Sequence, residues 1–233
     1  FVGSSSPNHD RWIDGYLDEL RISKGIARWT SNFTPPSSPY GKVATVTSQK
    51  KFGTASGEFH GSGDYLSLVD SDDWNFGTGD FTIDFQVKFN DLTMDESNGI
   101  GLVNQYGATG VTRSWSVRLI KDSGIINIYF STYPDPSTPT HFARAWSPAP
   151  VINTWYHITV TRSSDTLYIF VNGALLGTSQ SITNTLQDAS TPLTIGVDSG
   201  INRLLNGWID ELRISKGIAR WTSNFTPPSA PYE

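Results

Sequence analysis

Residues 15–40, GYLDELRISKGIARWTSNFTPPSSPY, recur at 207–232 as GWIDELRISKGIARWTSNFTPPSAPY, with 23 of 26 positions identical. The differences are Tyr16/Trp208, Leu17/Ile209 and Ser38/Ala230. An offset of 192 residues is too long for a solenoid repeat and has the size of a whole domain, so the chain reads as a window onto an array of similar domains. On this reading residues 41–233 are one complete unit, and residues 1–40 are the C-terminal segment of an upstream repeat with its Pro-rich linker. Phe1 is not an initiator and the sole methionine is Met94, so the polypeptide is expected to start upstream or to have been processed. The linker Thr34-Pro35-Pro36-Ser37-Ser38-Pro39-Tyr40-Gly41 is either a polyproline II spacer that holds units apart or an ordinary flexible connection.

Composition removes several function classes. A net charge of −5 with 17% charged residues argues against a phosphate-binding surface, which needs clustered Lys and Arg, so nucleic acid is not expected as a partner. No apolar stretch exceeds strand length, as in Ile125–Phe130, so no membrane insertion is expected. Without cysteine, neither disulfides nor thiolate metal sites are available, and stability must come from a packed core, with any metal held by oxygen ligands.

The periodicity of the complete unit is two. From Phe81 to Phe89 every odd residue is apolar and every even one polar, the pattern of a strand with one buried and one wet face. Residues 156–161 repeat it. Leu167–Val171 is apolar on both faces and runs into Asn172-Gly173, a type I′ hairpin signal. Trp115–Leu119 turns at Asp122-Ser123-Gly124 into Ile126–Phe130, and turn residues punctuate the chain at the spacing of an all-β sandwich.

Five segments in order carry a family resemblance: Phe59–Leu66, Phe76–Phe85, Asn153–Val160, Leu167–Gly173 and Gly207–Ile214. Together they resemble the laminin-G-like group of the concanavalin A-like lectin/glucanase superfamily over about residues 51–215. The resemblance implies an all-β jelly-roll sandwich of two antiparallel sheets. It does not choose a function, because the superfamily includes lectins, adhesion modules, glycosidases and structural modules. The closing phrase Ser215–Pro228 is similar to versions found in tandem in bacteriophage and viral structural proteins, which implies a virion-surface or extracellular setting with neighbouring repeats or virion proteins as partners.

A retaining glycanase needs two carboxyl groups about 5 Å apart across the sugar, and the Glu-x-Asp-x-x-Glu run of the superfamily's glucanases is missing. Asp80 and Asp84 read instead as a solvated strand face, and His157 as an outward sheet residue. The chain is therefore expected to be non-enzymatic. Glycan recognition at a host or cell surface would use a ring stacked on a pyranose with polar neighbours. Trp74, Trp155 and Trp208 read as core, and Trp221 and Phe225 as packing a crossing segment onto the sandwich. Tyr106, Trp115, Tyr133, His141 and Trp146 remain as candidate ligand-binding residues, near or within the least family-like stretches. A spacer or decoration domain without a glycan ligand is the alternative.

Two further expectations concern the closing strand. Either Tyr16–Ile22 or Trp208–Ile214 can complete the sandwich; the local connection favours Trp208–Ile214, beside Phe59–Leu68. Alternation places Trp208, Asp210, Leu212 and Ile214 on one inward face, aiming a carboxylate at the core side. The laminin-G-like resemblance implies Ca2+ held by Asp side chains and carbonyls, with Asp210 and Asp64 as candidates. Asp210 capping backbone amides is the competing reading.

Overall fold

The computed structural model describes residues 43–94, 99–107, 112–135, 138–198 and 203–232, all within the compact unit Gly41–Glu233. One antiparallel sheet runs in the order β1 (Ala44–Val46), β2 (Ser56–His60), β16 (Asn206–Lys216), β4 (Phe81–Phe89), β9 (Trp155–Ser163), β10 (Thr166–Val171) and β11 (Ala174–Leu175), with β12 (Gln180–Ser181) also on β10. The second runs β3 (Leu66–Leu68), β13 (Leu193–Ile195), β5 (Ile100–Tyr106), β6 (Arg113–Asp122), β7 (Ile125–Thr132) and β8 (Thr140–Ala145). A small two-stranded ribbon pairs β14 (Val197–Asp198) with β15 (Arg203–Leu204) and packs against β5. This is the expected jelly-roll sandwich. Its core interleaves the inward residues of the two sheets: Phe81, Ile83, Phe85 and Val87 from β4 meet Trp115, Val117 and Leu119 from β6 and Phe130 from β7.

Trp208–Ile214 fills the closing slot as expected, pairing Trp208 with Glu58 of β2 and with Lys88 of β4, but the expected neighbour Phe59–Leu68 is not one strand: β2 ends at His60, and Leu66–Leu68 belongs to the other sheet. Its competitor Tyr16–Ile22 lies outside the described residues. The hairpin at Asn172-Gly173 also forms, with both residues at positive φ. Gly173 is required for a second reason: a Cβ there would sit 1.9 Å from the carbonyl oxygen of Phe225.

The expected alternation of β16 does not survive a bulge. Register with β4 shifts between Asp210 and Arg213, and Glu211 sits in the left-handed region at φ 52°. Before the bulge Ile209 faces the core while Trp208 and Asp210 face outward; after it Leu212 and Ile214 pack on the core and Arg213 faces outward. The extra residue thus puts two charged side chains three positions apart on one face, which strict alternation forbids.

The outer face of β4 is not wet either. Thr82, Asp84 and Gln86 are buried, because the C-terminal segment 217–232 crosses them as a strap. Thr82 Oγ1 donates to the Ile218 carbonyl (2.8 Å) and accepts from Arg220 N–H (2.9 Å), and Phe225 N–H reaches Gly173 O at 2.9 Å. Trp221 and Phe225 stack on each other at 4.1 Å and meet His157 edge-on at 6.0 and 5.8 Å. Beneath the strap Asp84 is fully buried. It accepts two bonds from Arg213, Nε at 3.1 Å and Nη2 at 2.8 Å, and one from the Tyr232 hydroxyl at 2.5 Å. His157 Nε2 lies 3.4 Å from Asp84 and 3.1 Å from the Tyr232 oxygen. Asp84 and His157 are therefore interior groups, not the solvated residues that alternation implied.

Burial pushes the Asp84 pKa up, but its bonds to His157, Arg213 and Tyr232 outweigh that and hold it below the usual 3.8. A carboxyl group whose folded pKa is depressed contributes stability above its unfolded pKa and loses it as pH falls through the folded value. The protein is expected to lose stability on acidification below pH 3.8. Asp84→Asn should cost about 3–5 kcal/mol at pH 7 by stranding Arg213, and flatten the acid limb of a melting-temperature profile.

Candidate functional site

With one sheet face closed by the strap, the outer face of the six-stranded sheet becomes the surface to sort. Trp115, Val117 and Leu119 of β6 point into the core, so Ser114, Ser116 and Arg118 point out. Register then lines up a row of hydrogen-bonding side chains across five strands: Thr194 opposes Asn104, Asn104 opposes Ser116, Ser116 opposes Ser131, and Ser131 opposes His141. The neighbouring row is Gly101, Arg118, Tyr129 and Ala143.

The ribbon β14–β15 bounds one side. Gly101 permits its approach, since a Cβ there would meet the Asp198 backbone nitrogen at 2.1 Å. Asp198, 1% exposed, accepts from Arg118 Nη1 (3.1 Å) and Arg203 Nη1 (2.9 Å). Arg118 Nη2 continues to Ser131 Oγ at 3.3 Å, and Ser131 Oγ lies 2.8 Å from His141 Nδ1. On the other side Tyr106 and Tyr133 sit 5.0 Å apart with the Arg113 guanidinium over both rings, at 4.9 and 5.7 Å.

Burial, then the nearby Arg118 charge, lowers the His141 pKa from 6.5, so the imidazole is neutral at pH 7 and offers one donor and one acceptor. Burial, then the bond to Tyr106, raises the Tyr133 pKa and keeps its hydroxyl protonated. Asn104, Ser114, Ser116 and Ser131 are fully buried. Among the described residues, Ser114 Oγ, Ser116 Oγ, Asn104 Oδ1 and Arg118 Nε have no hydrogen-bond partner. Such atoms normally find one, because each unpaired buried polar group costs about 1–3 kcal/mol. Hydroxyl groups and water are the chemistry that would satisfy them.

The structure divides the five candidate ligand residues. Tyr106, Tyr133 and His141 meet on this face, with His141 exposed and Tyr106 half-buried. Tyr133 is only 3% exposed and is clamped between Tyr106 and Arg113, so its ring is closed to stacking. Trp115 and Trp146 are corrections. Trp115 has no exposed surface; it points into the core and donates through Nε1 to the Trp74 carbonyl at 3.0 Å. Trp146 is 4% exposed and packs edge-on against Tyr156 and Phe89, at 4.9 and 6.2 Å. Arg113, Arg118, Tyr129 and Ser131 were missed. The signal available was the alternation Ser114-Trp115-Ser116-Val117-Arg118, which puts three polar side chains on one face.

Neither calcium candidate has a donor set that fits the ion. Asp210 Oδ2 accepts the backbone N–H groups of Lys51 (2.8 Å) and Phe52 (3.0 Å), and Oδ1 accepts that of Glu211 at 2.9 Å. Asp64 Oδ2 accepts His60 N–H at 3.0 Å and lies 2.5 Å from His60 Nδ1. Three backbone N–H groups take up both oxygens of Asp210, the capping arrangement, and no cluster of three or more His, Asp or Glu forms among the described residues.

A family model described as the concanavalin A-like lectin/glucanases superfamily, of the laminin G type, matches residues 60–220. The chain belongs to this superfamily. No curated protein sequence matches it. Among solved structures, domain 4 of AbnA, an extracellular arabinanase from Geobacillus stearothermophilus, in complex with arabinotriose, superposes with a TM-score of 0.58 at 17% identity, covering 78% of this laminin-G-type chain and 79% of that one. The binding domain of Paraclostridial Mosquitocidal Protein 1 follows at 0.57 and 18%, covering 75% of this chain and 42% of the toxin chain. The receptor-binding domain of botulinum neurotoxin D gives 0.55 and 19%, covering 76% and 43%. The laminin-G-type chain thus spans less than half the length of either toxin structure, and at these identities the likeness is one of fold.

Because Trp146 belongs to the core of this laminin-G-type sandwich, Trp146→Ala should cost about 3–5 kcal/mol, read as a lower urea midpoint at unchanged slope.

Proposed function

We propose that the chain is a non-catalytic glycan-recognition module that works through the outer face of the six-stranded sheet. The observation that carries this reading is the Thr194–Asn104–Ser116–Ser131–His141 row, whose hydroxyl, amide and imidazole groups include two atoms, Asn104 Oδ1 and Ser116 Oγ, without a hydrogen-bond partner among the described residues. The half-buried Tyr106 and Tyr129 rings lie beside it, the pairing of apolar surface with polar groups that a sugar requires. The arabinotriose held by an arabinanase domain of this fold, and the receptor-binding role of the botulinum neurotoxin domain, support it by analogy of fold. A non-catalytic role is supported by the carboxylates. Among the described residues the face carries only Asp198, held by two guanidinium groups, and a glycosidase pair needs two carboxyl groups across the sugar.

The near-duplicate of residues 207–232 at 15–40 supports display in a tandem array on a virion or cell surface, where several weak sites act together. The Pro-rich linker favours a second reading, a spacer with no glycan ligand. A glycan array probed with the chain separates the two. Glycan recognition predicts selective binding that His141→Ala reduces at least tenfold while the melting temperature stays unchanged. Absence of binding across the array would favour the spacer.

A further inference from the structure

We propose that the closing segment is exchangeable between molecules: residues 15–40 of one copy of this chain fit, on a second copy, the slot and the strap path that residues 207–232 occupy in the structure. The partner of this surface is a second copy of the same chain, and the inference is independent of glycan binding.

The surface selects its occupant through a few side chains, and the duplicate carries each of them. Asp210 accepts the Lys51 and Phe52 N–H groups, Arg213 and Tyr232 satisfy Asp84, and Glu211 accepts the Tyr232 N–H. At the offset of 192 their counterparts are Asp18, Arg21, Tyr40 and Glu19. Trp221 and Phe225, which close over His157, are matched by Trp29 and Phe33. The backbone demand is matched as well: a Cβ on Gly207 would sit 2.2 Å from the Lys88 carbonyl oxygen, and Gly15 stands at the corresponding position. The three differences avoid all of these contacts. Ile209 packs on the core, where Leu17 offers an isomeric side chain. Ala230 is exposed, so Ser38 is tolerated there. Trp208 faces outward with an indole N–H that has no partner among the described residues, so Tyr16 forfeits no hydrogen bond and keeps a ring for Lys88.

An exchanged segment makes the contacts that the resident one makes, so the two arrangements differ chiefly in how often each segment meets the slot. A tethered segment has an effective concentration on the order of millimolar, so at micromolar protein the exchanged form stays near about one per cent. β16 lies between β2 and β4, so exchange requires that strand to leave the middle of its sheet and proceeds through unfolding. Weakening the resident copy alone reverses the preference.

The test uses the full chain carrying Arg213→Ala and Tyr232→Phe, which weaken the resident strap and leave Arg21 and Tyr40 intact, unfolded in urea and refolded at submillimolar concentration. Light scattering after size exclusion should show dimers or longer chains raised at least tenfold over the unmodified protein treated in the same way. Adding Arg21→Ala and Tyr40→Phe to that chain should return them to the starting level. A variant that refolds as a monomer, or whose oligomers survive the loss of Arg21 and Tyr40, would overturn the inference. If the double variant does not refold, Tyr232→Phe alone, which keeps Arg213 on Asp84, is refolded with an excess of a fluorescein-labelled peptide of residues 15–40. The label should co-elute with the protein, and a peptide carrying Arg21→Ala should not. No uptake of the intact peptide, or equal uptake of both, would likewise count against exchange.

Discussion

Asp84 is a carboxylate placed without solvent in the middle of the longer sheet, and the rest of the arrangement depends on how it is satisfied. Unpaired, such a group costs several kcal/mol, enough to undo a domain of ordinary stability. Arg213 closes on it bidentately from the adjacent strand, and the Tyr232 hydroxyl reaches it from the strap. Arg213 also lies 3.9 Å from the Tyr232 ring centre, so charge and aromatic surface are used in one contact. The strap reaches Tyr232, some sixteen residues beyond β16 (Asn206–Lys216), and there completes this set. Glu211 holds the strap at this point by accepting the Tyr232 N–H.

The bulge in β16 makes that geometry available. Asp210 ties the β1–β2 loop by accepting Lys51 and Phe52, and Arg213 neutralises Asp84. An unbroken strand would present one of these outward and the other inward. Because the strap then covers the outer face of the longer sheet, the recognition proposed above falls to the six-stranded sheet. The polar row and the ribbon over Gly101 lie on that face.

Much of the fold was legible in the residues. The alternation in Phe81–Phe89, the Asn172-Gly173 turn and the order of the family segments fixed strands, a hairpin and the sandwich. What alternation could not show was which outward face meets water. Thr82 and Asp84 are covered by residues more than a hundred positions later, and a polar side chain under a strap has the same letter as one in solvent. The candidate site was legible in part for the same reason. His141, Tyr106 and Tyr133 stand out as leftover rings, yet Trp115, a candidate ligand ring on a strand, shares parity with Val117 and Leu119 and so points into the core. Ser116 and Ser131 gave no signal alone; they matter because cross-strand register aligns them, and register is a property of the folded pair.

The central claim is a division of labour between two sheet faces, one sealed by the strap and one proposed for recognition. Amide chemical-shift mapping during titration with the glycan that binds best tests it most directly. The account predicts shifts concentrated at Ser116, Ser131, His141 and Arg118, with Asp84, His157 and Trp221 unmoved. Shifts confined to the strap and the Asp84 cluster, with the six-stranded sheet silent, would contradict it.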